Sequence, residues 1–168
     1  MSENPVDRFI ETMGLMSQGD GGTRISGQIL AYLLTEGEPR TLQQMTEALS
    51  ISKGSASTNA RMLEMHGLAQ RVSHLGARQD GWEAVAEPHL QLLSRLVGRF
   101  RQNYLVIEDL VASFPPERAD ARQRVEDFNQ FYRQSADFFE EWLAHMSSGA
   151  EVPPPPGATG HPDPSAED

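Results

Sequence analysis

A mostly α-helical fold carrying one small β-hairpin is what this sequence predicts, on three observations. Up to about residue 66, apolar residues recur at helical spacing in short segments separated by glycine, proline and serine breaks. Between residues 68 and 85 the period switches to the alternation of strands, around a loop that contains glycine. From Pro88 onward, two long segments repeat their apolar residues three and four apart, the seam of helices that pack along their length.

Asn4-Pro5 starts the first helix, with proline at the first helical position, where its missing N–H is one that the helix leaves unpaired in any case. Val6, Phe9, Ile10 and Met13 follow at helical spacing, and Gly19-Asp20-Gly21-Gly22 ends the segment. No Gly-Lys-Ser/Thr follows that glycine cluster, so it reads as a loop between helices and not as a phosphate loop. Ile25, Ile29, Leu30, Leu33 and Leu34 mark a helix from Thr23, stopped by Gly37-Glu38-Pro39. Thr41 reads as the N-cap of a short helix with Leu42, Met45 and Leu49. Ser50-Ile51-Ser52 is a break, and Ser52 caps a helix that runs to about His66 and is closed by Gly67. Ala56, Ala60 and Leu63 share one face of that helix; Lys53, Ser57 and Arg61 share another.

Leu68 to Val72 alternates, with Leu68 and Val72 inward; Ser73 to Asp80 is a turn-rich loop around Gly76; Gly81 to Val85 returns as a second strand. Three short helices followed by a hairpin, over residues 23–87, is the order of a winged helix-turn-helix. Beyond it, Leu90, Leu93, Val97, Phe100, Tyr104, Ile107 and Val111 form one seam, and Phe114-Pro115-Pro116 breaks it. Val125, Phe128, Tyr132, Ser135, Phe139, Trp142 and Met146 form a second, from a helix starting near Glu117. The two suggest an antiparallel helical hairpin. A small head cannot bury seams this long, so residues 1–22 and 88–148 are expected to be the dimerisation helices of a homodimer. The alternative is a self-contained hairpin. Residues 149–168, rich in proline and acidic, are expected to be a disordered tail.

Composition excludes several classes. The chain of 168 residues has no cysteine, which removes disulfides, thiolate metal sites and cysteine nucleophiles. No stretch has the length of a membrane span and no secretory signal is visible, so the expected address is cytoplasmic. The five histidines show no metal-ligand spacing, and there is no Gly-x-Ser-x-Gly elbow. The pairs Glu108-Asp109 and Glu126-Asp127 are adjacent and so point apart on a helix. No catalytic residue, metal or cofactor is expected. The net charge of -10 speaks against a nucleic-acid partner, but residues 52–82 carry Lys53, Arg61, Arg71 and Arg78 against Glu64 and Asp80, the one net-positive stretch.

The helix 52–66 would enter a DNA major groove. Ser52, Lys53, Ser55, Ser57 and Thr58 give it a small polar front that can bond phosphates, and Arg61 offers a bidentate contact to guanine. Asn59 either pairs with adenine or faces inward; Met62 either covers a thymine methyl or packs in the core. Arg71, His74 and Arg78, about a flexible loop, would form the wing on the adjacent groove; the other reading of that loop is a solvated turn. Tyr104, Phe128, Tyr132 and Trp142 could bind a small-molecule effector, or their seam is core.

The run from Ile51 to Glu64, Ile-Ser-Lys-Gly-Ser-Ala-Ser-Thr-Asn-Ala-Arg-Met-Leu-Glu, resembles the recognition helix of the GbsR-like branch of the MarR-family regulators. His66 to Val72 and Gly76 to Asp80 resemble that branch's strand and wing, and Gly27, Ala31 to Leu34, Pro39 and Thr41-Leu42 its first two helices. Gln79 stands where that wing often carries a second basic residue. The resemblance implies a homodimeric transcriptional regulator, a repressor, reading a pseudo-palindromic operator in double-stranded DNA, and relatives in the branch regulate compatible-solute genes. The competing reading is a winged-helix subunit or adaptor of transcription machinery that binds protein rather than DNA.

Overall fold

Capping residues set the helix boundaries in the computed structural model, which describes residues 4–73 and 80–148. Helix α1 (Pro5–Gly19) opens with Asn4 Oδ1 accepting the Val6 N–H at 3.1 Å. Helix α2 (Arg24–Glu36) opens with the Thr23 hydroxyl accepting the Ser26 N–H and closes on Gly37 at φ 66°, a left-handed turn that glycine adopts without penalty. The short helix α3 (Leu42–Leu49) carries a capping box: Gln44 N–H donates to Thr41 Oγ1 at 3.2 Å, and Thr41 N–H to Gln44 Oε1 at 2.8 Å. Ser50 then turns the chain at φ 52°, and Ser52 caps helix α4 (Lys53–Met65). At the far end of α4, the Leu68 N–H donates to Leu63 O and the Gly67 N–H to Glu64 O, both at 2.9 Å. This paired arrangement satisfies two end carbonyls and brings Leu68 back onto Leu63.

The hairpin follows. Strands β2 (Ala69–Val72) and β3 (Gly81–Ala84) run antiparallel, with Ala69 opposite Ala84 and Val72 opposite Gly81. A further strand, β1 (Arg40–Thr41), flanks β3 on its other side, with Arg40 opposite Trp82. The two-stranded hairpin expected from the sequence is therefore a three-stranded sheet. Two residues are too few to display alternation, so β1 is fixed by its pairing and not by its own pattern.

Helix α2 is the axis of the core. Ile29, Leu33 and Met45 are fully buried, packed with Ala56, Ala60, Leu63, Leu68 and Trp82. Each such Leu or Ile side chain contributes about 1.5–3 kcal/mol by leaving water. Helix α1 lies against α2 at backbone distance: a Cβ on Gly27 would stand 2.3 Å from the Met13 carbonyl oxygen. Glu11 fastens the pair by an ion pair to Arg24 and a 2.9 Å hydrogen bond from Gln28. The order of α2, α3, α4 and the β2–β3 hairpin is a winged helix-turn-helix.

The chain divides into two compact units between Leu92 and Leu93, within helix α5 (Pro88–Ala112). In the second unit a 3-10 turn (Pro116–Arg118) leads into helix α6 (Ala119–Ser147). There α5 and α6 form an antiparallel hairpin. Arg101 reaches Asp137 at 3.1 Å and Glu140 at 2.5 Å, and the Tyr104 carbonyl accepts from Asn129 Nδ2 at 3.1 Å. Phe100 sits among Phe131, Tyr132 and Phe139, with centroids 5.8, 5.7 and 5.6 Å away. Among the described residues no helix is long and apolar enough to cross a membrane. The tail expected from residue 149 lies outside the described residues.

Candidate nucleic-acid interface

Helical spacing divides α4 into two faces. Ala56, Asn59, Ala60 and Leu63, at i, i+3, i+4 and i+7, are buried against the core. Lys53, Gly54, Thr58 and Arg61 are exposed on the other side, with Ser57 half-buried beside them. At the front, Ser52 Oγ accepts the Ser55 N–H at 3.1 Å and bonds Ser55 Oγ at 3.0 Å, so two hydroxyls are held at the helix start. Among the described residues Lys53 and Arg61 have no ion-pair partner. Arg24 and Arg40, in contrast, are neutralised by Glu11 and by Glu36 and Glu38. The two cations of α4 thus remain available to an outside anion on a face with little steric bulk.

Asn59 does not belong to that face. It is 6% exposed; its Oδ1 accepts from the Thr23 hydroxyl at 2.5 Å, and its Nδ2 donates to the Ser55 carbonyl at 2.9 Å. Its burial corresponds to the inward alternative weighed for it, with both ends of the amide already occupied by Thr23 and Ser55 instead of open to a base. The signal was present in the spacing, because Asn59 falls between Ala56 and Leu63 on the apolar stripe. Met62 is half-buried, whereas Met65 stands 78% exposed four residues beyond Arg61. Met65 is therefore the apolar side chain that α4 presents, and the sequence reading passed over it.

Arg71 lies at the root of the hairpin. Its guanidinium sits 4.8 Å from the Trp82 ring centroid and 3.6 Å from Asp80, and Ser73 also donates to Asp80. Arg71 and Trp82 are direct cross-strand partners, so β-sheet register produces the stacking. The side chain remains 41% exposed. His74 and Arg78, the other wing residues, lie outside the described residues.

The four aromatic side chains considered for an effector do not converge. Phe128 and Tyr132 pack edge to face at 5.5 Å, while Trp142 packs with Phe138 and Phe139. Fourteen residues of helix separate Phe128 from Trp142, about 21 Å along the axis. No single cage can draw on both. Tyr104 lines a different feature, an open cleft of about 310 Å³ walled by Glu108, Arg122, Glu126, Asn129 and Arg133. The Tyr104 hydroxyl donates to Glu108, and that bond raises its pKa above the ordinary tyrosine value.

Comparison with known proteins agrees with this architecture. No family model matches the chain. It is 34% identical over 79 residues to the HTH-type transcriptional regulator MmpR5 of Mycobacterium tuberculosis, a match spanning 46% of this chain and 48% of that protein. The chain thus spans about half the length of the curated relative it matches. Among solved structures, one described as the crystal structure of a transcriptional regulator superposes with a TM-score of 0.66 at 22% identity, over 86% of this chain and 99% of that one. At that identity the likeness shows the fold, and both matched proteins are described as transcriptional regulators.

Proposed function

We propose that this chain is a DNA-binding transcriptional regulator of the GbsR-like branch of the MarR family. It acts as a cytoplasmic homodimeric repressor, with α4 in the major groove and the hairpin loop, carrying Arg78, on the adjacent groove. The observation that carries this reading is the outward face of α4: two unpaired cations and a row of small hydroxyl residues on a helix whose other face is locked into the core. The two regulator likenesses support the transcriptional-regulator part of this reading. For the dimer, the support is exposed apolar surface in both units: Val6, Phe9, Leu15 and Met16 on α1, and Phe128, Phe131 and Phe138 on α6. Two heads on one DNA compensate for the few cations that each supplies on an acidic chain. The cleft at Tyr104 is where a small-molecule effector would enter the hairpin.

The net charge of -10 favours one rival, a winged helix that binds protein in the transcription machinery. Salt separates the two. Binding to duplex DNA from the intergenic region beside its own gene should weaken steeply with salt, the logarithmic slope growing by about 0.9 per phosphate contacted. Arg61→Ala should cost about 1–3 kcal/mol of operator affinity and relax specificity at one base pair. Fluorescence anisotropy at fixed salt measures both. Unchanged affinity removes Arg61 from base reading, and absence of salt-dependent duplex binding in the unaltered protein leaves the protein-contact reading.

A further inference from the structure

A chain of hydrogen-bonded hydroxyl and amide groups, buried at Ser26 and Asn59 and open to water at Thr23, runs from α1 through α2 into α4. Ser17 Oγ of α1 donates to the Thr23 carbonyl at 3.0 Å and lies 3.2 Å from Ser26 Oγ. Ser26 Oγ, on a residue 5% exposed, donates to the same carbonyl at 2.7 Å. The Thr23 hydroxyl does two things at once: it accepts the Ser26 N–H at 3.0 Å, which caps α2, and it donates to Asn59 Oδ1 at 2.5 Å. Asn59 passes the connection to the Ser55 carbonyl, in the turn of α4 that Ser52 caps. The bond spans 36 residues of sequence. Around it α1 and α2 approach so closely that a Cβ on Gly14 or Gly27 would meet atoms at 2.8 and 2.3 Å.

This arrangement is more specific than core packing requires. A helix held only by Ala56, Ala60 and Leu63 is held by apolar contacts, which are non-directional. Asn59, on the same face, has directional bonds, and breaking them leaves its buried amide without partners. We infer that Thr23 and Asn59 are positioning residues, which fix the orientation of the DNA-reading helix α4 relative to α1. The inference rests on the proposed function for the meaning of that orientation: with α1 in the dimer interface, the Thr23–Asn59 bond sets how each head is presented to its half-site.

The absence of cysteine allows a direct test. Spin labels at Thr12→Cys on α1 and Glu64→Cys on α4, both exposed positions, report the α1–α4 distance in the full chain without DNA. Labelled chains are diluted into unlabelled ones so that only distances within one chain are read. A narrow distribution is expected in the otherwise unaltered protein and in Thr23→Ser, which keeps both bonds of the hydroxyl. A broadened one is expected in Asn59→Leu, which keeps the α2 cap and loses the brace, and in Thr23→Val. In parallel, operator affinity should fall about fivefold to tenfold in the two broadened variants, with the salt slope unchanged. Narrow distributions in Asn59→Leu and Thr23→Val overturn the inference, as does broadening in Thr23→Ser. Broadening without loss of operator affinity overturns the positioning role in DNA reading. If the unaltered protein binds no duplex, the proposed function fails, and the distance distributions still decide whether the brace exists.

Discussion

The two units of this chain solve the burial of apolar surface differently. In the first, Ile29 and Met45 are 0% exposed and Leu33 is 1% exposed, and even the polar Asn59 and Ser26 are enclosed with partners. In the second, the seam residues Leu93 and Val111 are buried, yet Phe128, Phe131 and Leu110 remain 58%, 55% and 56% exposed. Buried atoms with no hydrogen-bond partner occur in both units, Arg40 Nε in the first and Asn129 Oδ1 and Trp142 Nε1 in the second. The core around α2 is closed, while Val6, Phe9, Leu15 and Met16 on α1 of the same unit stay exposed. A helical hairpin with aromatic rings open to water has apolar surface left uncovered, which the proposed homodimer would bury.

The largest effect that can break this comparison is loss of stability in the closed core. Leu33→Ala should cost about 2–5 kcal/mol of unfolding free energy in a urea titration, because a fully buried side chain is removed where neighbours on α3 and α4 cannot collapse. Phe131→Ser, in the open hairpin, should change the fold by about 1 kcal/mol, the scale of its edge contacts with Phe100 and Tyr132. Its main effect should appear in assembly: light scattering at micromolar concentration should show the mass falling from dimer toward monomer. If Phe131→Ser unfolds the chain as Leu33→Ala does, the hairpin has a core of its own. If it leaves the mass unchanged, this face is not the dimer contact.

The same contrast explains what the sequence revealed. Caps and periods are local, so Asn4, Thr23, Thr41, Ser52 and Gly67 were readable as helix boundaries, and both seams as helices. What escaped depends on partners far along the chain. The strand Arg40–Thr41 exists because Trp82 lies opposite, and Thr23 matters beyond its cap because Asn59 lies beneath it. The outward face of α4 was legible because its small polar residues alternate with a regular apolar stripe. Heptad spacing places the aromatic rings in a row along the helix, so Phe128 and Trp142 stand apart and do not surround one point. Thr41→Ala removes one half of the capping box on α3 and should cost about 1 kcal/mol by urea titration. A loss within error would mean that the pairing of β1 with β3, and not the box, holds the start of α3.

The smallest effect compares one tyrosine from each unit. Tyr32 is 8% exposed in the head, and burial first, then the nearby Glu36 carboxylate, raises its pKa above the ordinary value of 10.0. Tyr104 in the hairpin is also raised, but by its hydrogen bond to Glu108. For Tyr32 the neutral form is favoured by folding. Its contribution to stability is therefore complete below the unfolded value of 10.0 and is lost as the pH rises through the raised folded value. Absorbance at 295 nm against pH should accordingly show Tyr32 ionising together with loss of circular dichroism, whereas Tyr104 ionises with the helices intact. Glu108→Gln should bring the Tyr104 titration back toward the ordinary value and leave that of Tyr32 in place. A Tyr32 that ionises near its ordinary value while the circular dichroism persists would show that water reaches the centre of α2, and the closed head would then be no more closed than the hairpin.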